Sequence, residues 1–177
     1  SLIAFDFMGK TTSYAAFEGN VYRCANALRE MGVRPGERVL ICLPNCPQAV
    51  ETFYAVNAVG AVAVMVHPLS GEQEIGFYLR DSGSAVAVTL DQFYGKFAAI
   101  RENTKIKHLI IASIGDALSV PMRIGYMLTQ GRKIPKLPAN APVILWKNFL
   151  KQGLCTIKKK NYAKVYLIFF FFFFVFF

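Results

Sequence analysis

The chain has 177 residues, 54% of them hydrophobic, with 20 Lys and Arg against 11 Asp and Glu and a formal net charge of +9. The Lys residues of 147–177 supply six of those nine charges, so residues 1–146 keep only a small positive excess, which argues against a nucleic-acid partner. The length suffices for one domain with a sizeable core. No signal peptide is recognisable, and Ser1 in place of Met leads us to expect that the natural N-terminus is missing.

The first part of the chain predicts a hairpin followed by a helix. Residues 3–12 are strand-like on either side of a Gly9-Lys10 turn, and Ser13 can cap the helix that follows. Apolar side chains at spacings of three and four then form one apolar stripe, which predicts a helix; they are Tyr14, Phe17, Val21, Cys24, Ala25, Leu28 and Met31. Gly32 predicts the end of the helix, and residues 34–37 predict a turn.

Residues 39–112 alternate between apolar strands and helices. Strands are predicted at 39–43, 61–66, 85–89 and 108–112, and helices between them at 48–59, 72–81 and 92–102. Strands without polar alternation are typical of parallel sheets that are buried on both faces. We therefore predict an α/β fold: a doubly wound, mainly parallel sheet with helices on both faces.

Residues 113–150 are less regular. The sequence predicts a helix at 121–128, a loop with three prolines at 131–142, and a short strand or packed segment at 143–146.

Residue chemistry alone indicates no catalytic, cofactor-binding or metal-binding residue. The sequence contains neither a Gly-rich phosphate loop nor a nucleophile elbow. His108 precedes a predicted strand, whereas His67 follows one, at the edge where α/β sites form, but its position before Pro68 favours shaping of the loop over catalysis. The acids Asp81, Asp91 and Asp116 are scattered over helix ends and turns, where capping is expected.

The four cysteines predict no metal or disulfide. Cys42 and Cys46 form a lone C-x3-C pair without a second pair to complete a zinc site. Together with Cys24 and Cys155 they predict reduced, mostly buried thiols in a cytoplasmic protein.

Several short segments, in matching order and at matching intervals, resemble the N-terminal region of the AMP-forming acyl-CoA synthetases. They are residues 12–14, 24–28, 31–39, 43–47, 51–55, 59–62, 67–69 and 79–83. The resemblance covers residues 4–150, and residues 124–150 are most similar to bacterial members that act on long-chain fatty acids. Two departures are Ala16, where a Glu is usual, and Gly19 within the first helix.

The resemblance implies a ligase that activates a carboxylic acid, here a fatty acid, with ATP as an acyl-adenylate and transfers it to coenzyme A, with Mg²⁺ also required. The family's Ser/Thr/Gly-rich loop ending in Lys-Gly, its adenine- and ribose-binding motifs, its hinge and its C-terminal lysine do not occur in these residues. We therefore expect this 177-residue fragment to be inactive and to bind none of these cofactors. An adenylation domain for another acid and a non-catalytic, membrane-associated α/β module remain alternatives.

The last residues differ abruptly from the rest. We place a boundary near Leu150, between residues 1–150, a partial N-terminal region of the synthetase domain, and residues 151–177, an aberrant or membrane-seeking tail rich in Lys and Phe. Its 13-residue apolar run would span about 20 Å as a helix, short of the roughly 30 Å of a bilayer core. Contact of residues 158–177 with a membrane surface is one interpretation, and out-of-frame reading of A- and T-rich DNA is the favoured one.

Removal of the tail tests its effect on solubility. A chain ending at Leu150 is expected to stay in the supernatant of a pelleting assay to a greater extent than the full chain, because exposed Phe residues promote aggregation. Equal pelleting of the two chains would contradict this prediction.

Overall fold

The structure is a computed structural model that describes residues 2–154. An antiparallel hairpin pairs β1 (Ile3–Phe7) with β2 (Lys10–Ser13) and leads directly into α1 (Tyr14–Glu30). The predicted hairpin is confirmed, but its turn lies at Met8-Gly9 and not at the predicted Gly9-Lys10. The Ser13 hydroxyl oxygen accepts a hydrogen bond from the Ala16 N–H at 3.3 Å, which confirms the predicted helix cap.

Five parallel strands form the central sheet. They are β3 (Arg38–Cys42), β4 (Val62–Met65), β5 (Val86–Leu90), β6 (His108–Ala112) and β7 (Ile144–Leu145), in the spatial order β4-β3-β5-β6-β7. In the register, Leu40 lies opposite Val64 on one side and Ala87 on the other. The chain builds outward from β3 first to β4 and then, in the opposite direction, to β5 and beyond, which confirms the predicted doubly wound α/β fold.

Helices cover both faces of this sheet, because alternate strand residues point to opposite sides. Val39 and Ile41 pack with α1, with α2 (Pro47–Val59) and with α7 (Trp146–Gln152). Leu40 and Cys42 pack with α3 (Glu72–Ser82) and α4 (Tyr94–Ile100) on the other face. The short α5 (Ile114–Ala117) and α6 (Val120–Thr129) follow β6, and 3₁₀ turns occur at 91–93, 101–103 and 131–133.

Gly60 ends α2, as predicted. Its φ of +81° lies in the left-handed region that a side chain disfavours. Its carbonyl oxygen accepts a hydrogen bond from the Gly36 N–H at 2.8 Å, and an added Cβ would lie 3.3 Å from Cβ of Pro35. The turn at 34–37 and the end of α2 thus pack against each other at a point where only glycine fits easily.

The strand at 61–66 is less buried than predicted. Val62 and Met65 of β4 are 50% and 55% exposed, so burial on both faces, which the sequence predicted for every strand, is wrong for this one. The physical reason is its position: β4 pairs with β3 alone among the described strands and forms an edge of the sheet. An apolar run cannot distinguish an edge strand from a central one.

The C-terminal part of the described chain contains a helix that the sequence did not predict. Trp146 and Phe149 of α7 are buried, and the Asn26 side chain donates a hydrogen bond to the Gly153 carbonyl oxygen at 3.2 Å. Gly153 approaches α1 so closely that an added Cβ would lie 2.7 Å from the carbonyl carbon of Arg23. The proposed boundary near Leu150 falls inside α7, so a cut after Leu154 would remove the tail and keep α7 and Gly153.

The described cysteines agree with the sequence. Cys24, Cys42 and Cys46 are free and buried, and burial raises the pKa of the Cys42 and Cys46 thiols to about 11. Cys155 and the Lys- and Phe-rich residues 158–177 lie outside the described residues. Among the helices of residues 2–154, none combines the length and the apolar character that a membrane span requires.

Candidate functional site

The strand order reverses at β3 and β5, and ligands of doubly wound sheets bind beyond the carboxyl ends of the strands at such a point. A cleft of about 470 Å³ lies there, between the loops that follow β3, β4 and β5. It is lined by Leu43, Pro44, Asn45, Met65, Val66, His67, Pro68, Leu69, Gln92 and Phe93. Its walls are mainly apolar and include no carboxylate or ammonium group, so we call it the apolar cleft.

His67 has a structural contact within its own loop. Its Nδ1 accepts a hydrogen bond from the Leu69 N–H at 3.2 Å, and its carbonyl oxygen accepts one from the Ser70 N–H at 3.0 Å. The Lys96 ammonium then donates to the carbonyl oxygens of Pro68 and Ser70 at 3.3 and 2.6 Å. The loop is therefore held by its own turn and by α4, and the His67 imidazole has no acidic partner among the residues that line the cleft.

A second cleft, of about 550 Å³, lies at the carboxyl ends of β5 and β6 and beneath α6. We call it the charged cleft, because its lining includes Asp91, Asp116, Arg123, Lys136 and Lys147. The Asp116 carboxylate pairs with the Lys147 ammonium at 3.0 Å, which is the one salt bridge among residues 2–154. Within that part of the chain, the charges of Arg123 and Lys136 are thus not neutralised by a carboxylate at contact distance.

The fold brings together two of the three acids that the sequence analysis considered. Asp91 follows β5 and accepts a hydrogen bond from the Gln92 N–H at 2.8 Å, while Asp116 follows β6 in α5, so both line the charged cleft. Burial, assisted by Asp91, raises the pKa of the neighbouring Tyr126 hydroxyl. Asp81 lies on α3, away from both clefts, and His108 starts β6 at the amino edge of the sheet, opposite the clefts.

Glu51 is a buried acid that the sequence analysis did not single out as a site residue. It is 4% exposed, and its Oε1 accepts a hydrogen bond from the Asn20 amide at 2.7 Å across the contact of α1 and α2. Burial raises the pKa of the Glu51 carboxyl to about 7, although the hydrogen bond from Asn20 and the positive charges of Lys10 and Arg23 act in the opposite direction. Glu51 is therefore near half-protonation at neutral pH.

One helical turn before Glu51, Gln48 has an unsatisfied acceptor. Its amide nitrogen donates to the Ser113 carbonyl oxygen at 2.9 Å, but its Oε1 is buried without a hydrogen-bond partner among the described residues. Gln48 and Glu51 line a small cavity of about 160 Å³, together with residues of the hairpin, α5 and α7. The two side chains provide hydrogen-bond acceptors where the hairpin, α1, α2, α5 and α7 meet, and a water molecule in this cavity could donate to them.

The loops beside the apolar cleft lack the features of a phosphate-binding loop. The loops at 43–46, 66–69 and 91–93 contain no glycine, and Pro44 and Pro68 each remove one backbone N–H donor of the kind that a phosphate cradle requires. No group of three or more His, Cys, Asp or Glu side chains in residues 2–154 is arranged to hold a metal ion. The observed contribution of residues 2–154 is a set of loops and clefts at the carboxyl edge of the sheet.

The sequence contains a signal that could have identified Glu51. It is the only Asp, Glu, Lys or Arg between Arg38 and Glu72, within a stretch that is otherwise apolar or neutral. An isolated carboxylate on a helix with apolar residues all round predicts burial, and burial predicts a perturbed pKa. The charged cleft, in contrast, combines residues from 91 to 147 that only the sheet order brings together.

Comparison with known proteins identifies the class of protein that this fold defines. Residues 1–139 match the family described as AMP-binding enzyme. The chain therefore belongs to the AMP-binding enzyme family, and the resemblance to acyl-CoA synthetases inferred from its sequence motifs is confirmed.

The individual relatives are CoA ligases. The chain is 34% identical over 131 residues to the long-chain-fatty-acid–CoA ligase of Bacillus subtilis (strain 168), covering 74% of this chain and 23% of the relative. It is 31% identical over 108 residues to the crotonobetaine/carnitine–CoA ligase of Salmonella paratyphi A (strain ATCC 9150 / SARB42). This match covers 60% of this chain and 20% of the relative. The chain thus spans less than a quarter of the length of these curated relatives.

Solved structures confirm the fold. The anthranilate CoA ligase AuaEII, crystallised in complex with anthranoyl-AMP, superposes with a TM-score of 0.68 at 18% identity over 85% of this chain and 25% of that chain. The Mycobacterium tuberculosis fatty acyl CoA synthetase superposes with a TM-score of 0.56 at 28% identity. This match covers 66% of this chain and 23% of that chain.

Proposed function

We propose that this chain is the N-terminal part of an AMP-forming acid–thiol ligase, which activates a carboxylic acid with ATP to an acyl-adenylate and transfers the acyl group to coenzyme A. The observation that supports this most directly is the 34% identity over 131 residues to a bacterial long-chain-fatty-acid–CoA ligase. The match of residues 1–139 to the AMP-binding enzyme family supports the same class of reaction.

Within such a ligase, the described residues serve as a scaffold. They form a parallel sheet with two clefts at its carboxyl edge, and among them there is no Gly-rich phosphate loop and no three-residue metal cluster. We therefore propose that a polypeptide of these 177 residues alone catalyses neither adenylation nor thiol transfer and binds neither ATP nor coenzyme A.

An exchange assay tests the inactivity of the 177-residue chain. Purified chain, incubated with ATP, Mg²⁺, labelled pyrophosphate and a long-chain fatty acid, is expected to give no acid-dependent incorporation of label into ATP. A full-length bacterial long-chain ligase in the same assay is the positive control. Acid-dependent exchange above the rate of heat-treated chain would show that these residues contain a complete adenylation site, and the scaffold role would then be wrong.

We further propose that the acid is a fatty acid, because the 34% match is to a ligase of that substrate class. The alternative, another carboxylic acid, is supported by the 31% match to a crotonobetaine/carnitine ligase. Both a fatty acid and another carboxylic acid are compatible with the lining of the apolar cleft.

Sequencing of the coding DNA from codon 145 onward, in all frames, is the experiment that distinguishes these possibilities. A shifted frame that encodes a Ser/Thr/Gly-rich loop ending in Lys-Gly would support the ligase, and absence of such a frame would contradict it. The recovered longer polypeptide is then assayed for CoA-thioester formation from palmitate, crotonobetaine and anthranilate. The highest kcat/KM for palmitate would support the fatty-acid proposal, and preference for either other acid would overturn it.

A further inference from the structure

The apolar face of α6 lies on the outside of the molecule. Val120, Ile124, Met127 and Leu128 follow the spacing i, i+4, i+7, i+8, which places them in one stripe along the helix. Their exposed fractions are 65%, 56%, 61% and 57%, and α6 contributes no buried residue to the core. An amphipathic helix normally packs such a stripe against the core. A stripe that faces solvent is therefore typical of a surface that contacts another protein or a membrane.

The opposite, more polar side of α6 attaches it to the domain. Arg123 and Tyr126 line the charged cleft, and an added Cβ at Gly115 would lie 3.6 Å from Cγ of Arg123 and 3.8 Å from Cδ1 of Tyr126. The small residue at position 115 therefore allows α6 to approach α5 with its polar side. With that side against the domain, the apolar stripe has to face outward.

The segment that carries and follows the stripe is basic, while Asp91 and Asp116 lie in the charged cleft, beside Arg123 and Tyr126. Residues 117–154 contain six Lys and Arg, at 123, 132, 133, 136, 147 and 151, and no Asp or Glu. Arg132 and Lys133 occupy the turn that follows α6 and, like Lys136, are exposed. An exposed apolar stripe next to a cluster of cations is the pattern of helices that lie in the interface of an anionic membrane.

We propose that α6 and the segment 131–136 form a docking surface for a membrane that contains anionic lipids. The stripe lies at the boundary of headgroups and acyl chains, and Arg132, Lys133 and Lys136 contact the lipid phosphates. A second copy of the chain fits this surface less well, because two such faces in contact would bring their basic turns together. The surface consists of residues between 120 and 136, and its membrane contact is independent of any ligase activity.

Vesicle flotation of the full chain tests this surface. Binding to vesicles of phosphatidylcholine with 30% phosphatidylglycerol is compared with binding to pure phosphatidylcholine vesicles. Three proteins are measured: the unaltered chain and two double variants. One double variant combines Met127→Ser and Leu128→Ser, and the other combines Arg132→Gln and Lys133→Gln. Each pair is expected to lower partitioning onto the anionic vesicles by about tenfold. Phe77→Ser is the matched control, since Phe77 is 57% exposed on α3, outside this surface, and it should leave partitioning unchanged.

A second measurement reports the stripe itself, whatever residues 155–177 contribute. Leu128→Cys and, separately, Phe77→Cys are labelled with an environment-sensitive fluorophore in a Cys155→Ser background, where the remaining thiols are buried. Anionic vesicles are expected to shift the emission of the label at 128 to the blue and to leave the label at 77 unchanged.

Three results would overturn the proposal. The first is that the double variants and the unaltered chain bind anionic vesicles equally and that the emission of the label at 128 does not shift. The second is binding of inorganic phosphate or glycerol phosphate at this surface without any binding of vesicles. The third is a self-associating chain whose label at 128 shifts with protein concentration in the absence of lipid.

Discussion

Glu51→Gln is expected to raise the free energy of unfolding by as much as about 3 kcal/mol above pH 7 and to have little effect below pH 4.5. Burial raises the pKa of the Glu51 carboxyl from its ordinary value of 4.5 to about 7, so the folded state binds the proton more tightly than the unfolded state does. The resulting stabilisation is fully present below pH 4.5 and is lost as the pH rises to 7. One pKa unit corresponds to about 1.4 kcal/mol, which gives the expected size.

Gln is the appropriate replacement because it is neutral at every pH and retains an oxygen that can accept the hydrogen bond from Asn20. The charged groups that face Glu51 come from several elements: Lys10 on β2, Arg23 on α1, Asp116 on α5 and Lys147 on α7. These groups stay the same in both proteins, so the difference between the two stability curves isolates the titration of residue 51.

Urea denaturation of both proteins at pH 5 and pH 8 measures the effect. In a thermal denaturation at pH 8, the expected gain in the free energy of unfolding would raise the Tm of Glu51→Gln by roughly 6–10 °C at this chain length. Glu102→Gln is the control, since Glu102 is exposed in the 3₁₀ turn after α4, and it should give the same small difference at both pH values. A stability difference for Glu51→Gln that does not change with pH would show that Glu51 does not titrate in this range.

Phe149→Ala is expected to lower the free energy of unfolding by about 3–5 kcal/mol. Phe149 is fully buried, and its ring centroid lies 5.4 Å from that of Trp146, so the shorter side chain leaves a cavity between α7 and the sheet. A loss of this size is a large fraction of the 5–15 kcal/mol that stabilises a typical domain.

Phe77→Ala is the matched control, because it removes the same atoms from a side chain that is 57% exposed on α3. It is expected to change the free energy of unfolding by no more than about 0.5 kcal/mol. Denaturation curves of the two variants are compared at pH 5, where the contribution of Glu51 is still largely present. If Phe149→Ala costs no more than Phe77→Ala, residues 146–152 do not belong to the folded core.

These two predictions concern two elements that pack against α1, namely α2 and α7. Glu51 contacts α1 through Asn20, and the α7 segment contacts α1 through Asn26 and Gly153. The first 30 residues thus contact both α2 and the last described helix, and Glu51 and α7 also line one small cavity.

Local residue patterns were sufficient to predict most elements of the fold. The apolar runs at 39–43, 85–89 and 108–112 each formed a strand, and the stop signals Gly32 and Gly60 ended helices, because strand length, helical spacing and glycine's left-handed φ are properties of a few neighbouring residues. The motifs spread over residues 12–83 also sufficed to infer the family, which the match of residues 1–139 confirmed. No local pattern marked α7, since its seven residues are too few for a clear periodicity.

The sequence by itself determined the strand and helix segments, the α/β class and the family of this protein, because each depends on residue types at short spacings along the chain. Only the tertiary structure decided that β4 is an edge strand, that Asp91, Asp116 and Lys147 share one cleft, that Glu51 is a buried acid of raised pKa, and that the apolar stripe of α6 faces outward. These properties depend on which distant segments become neighbours, and strand order and helix orientation are results of packing that no local pattern specifies.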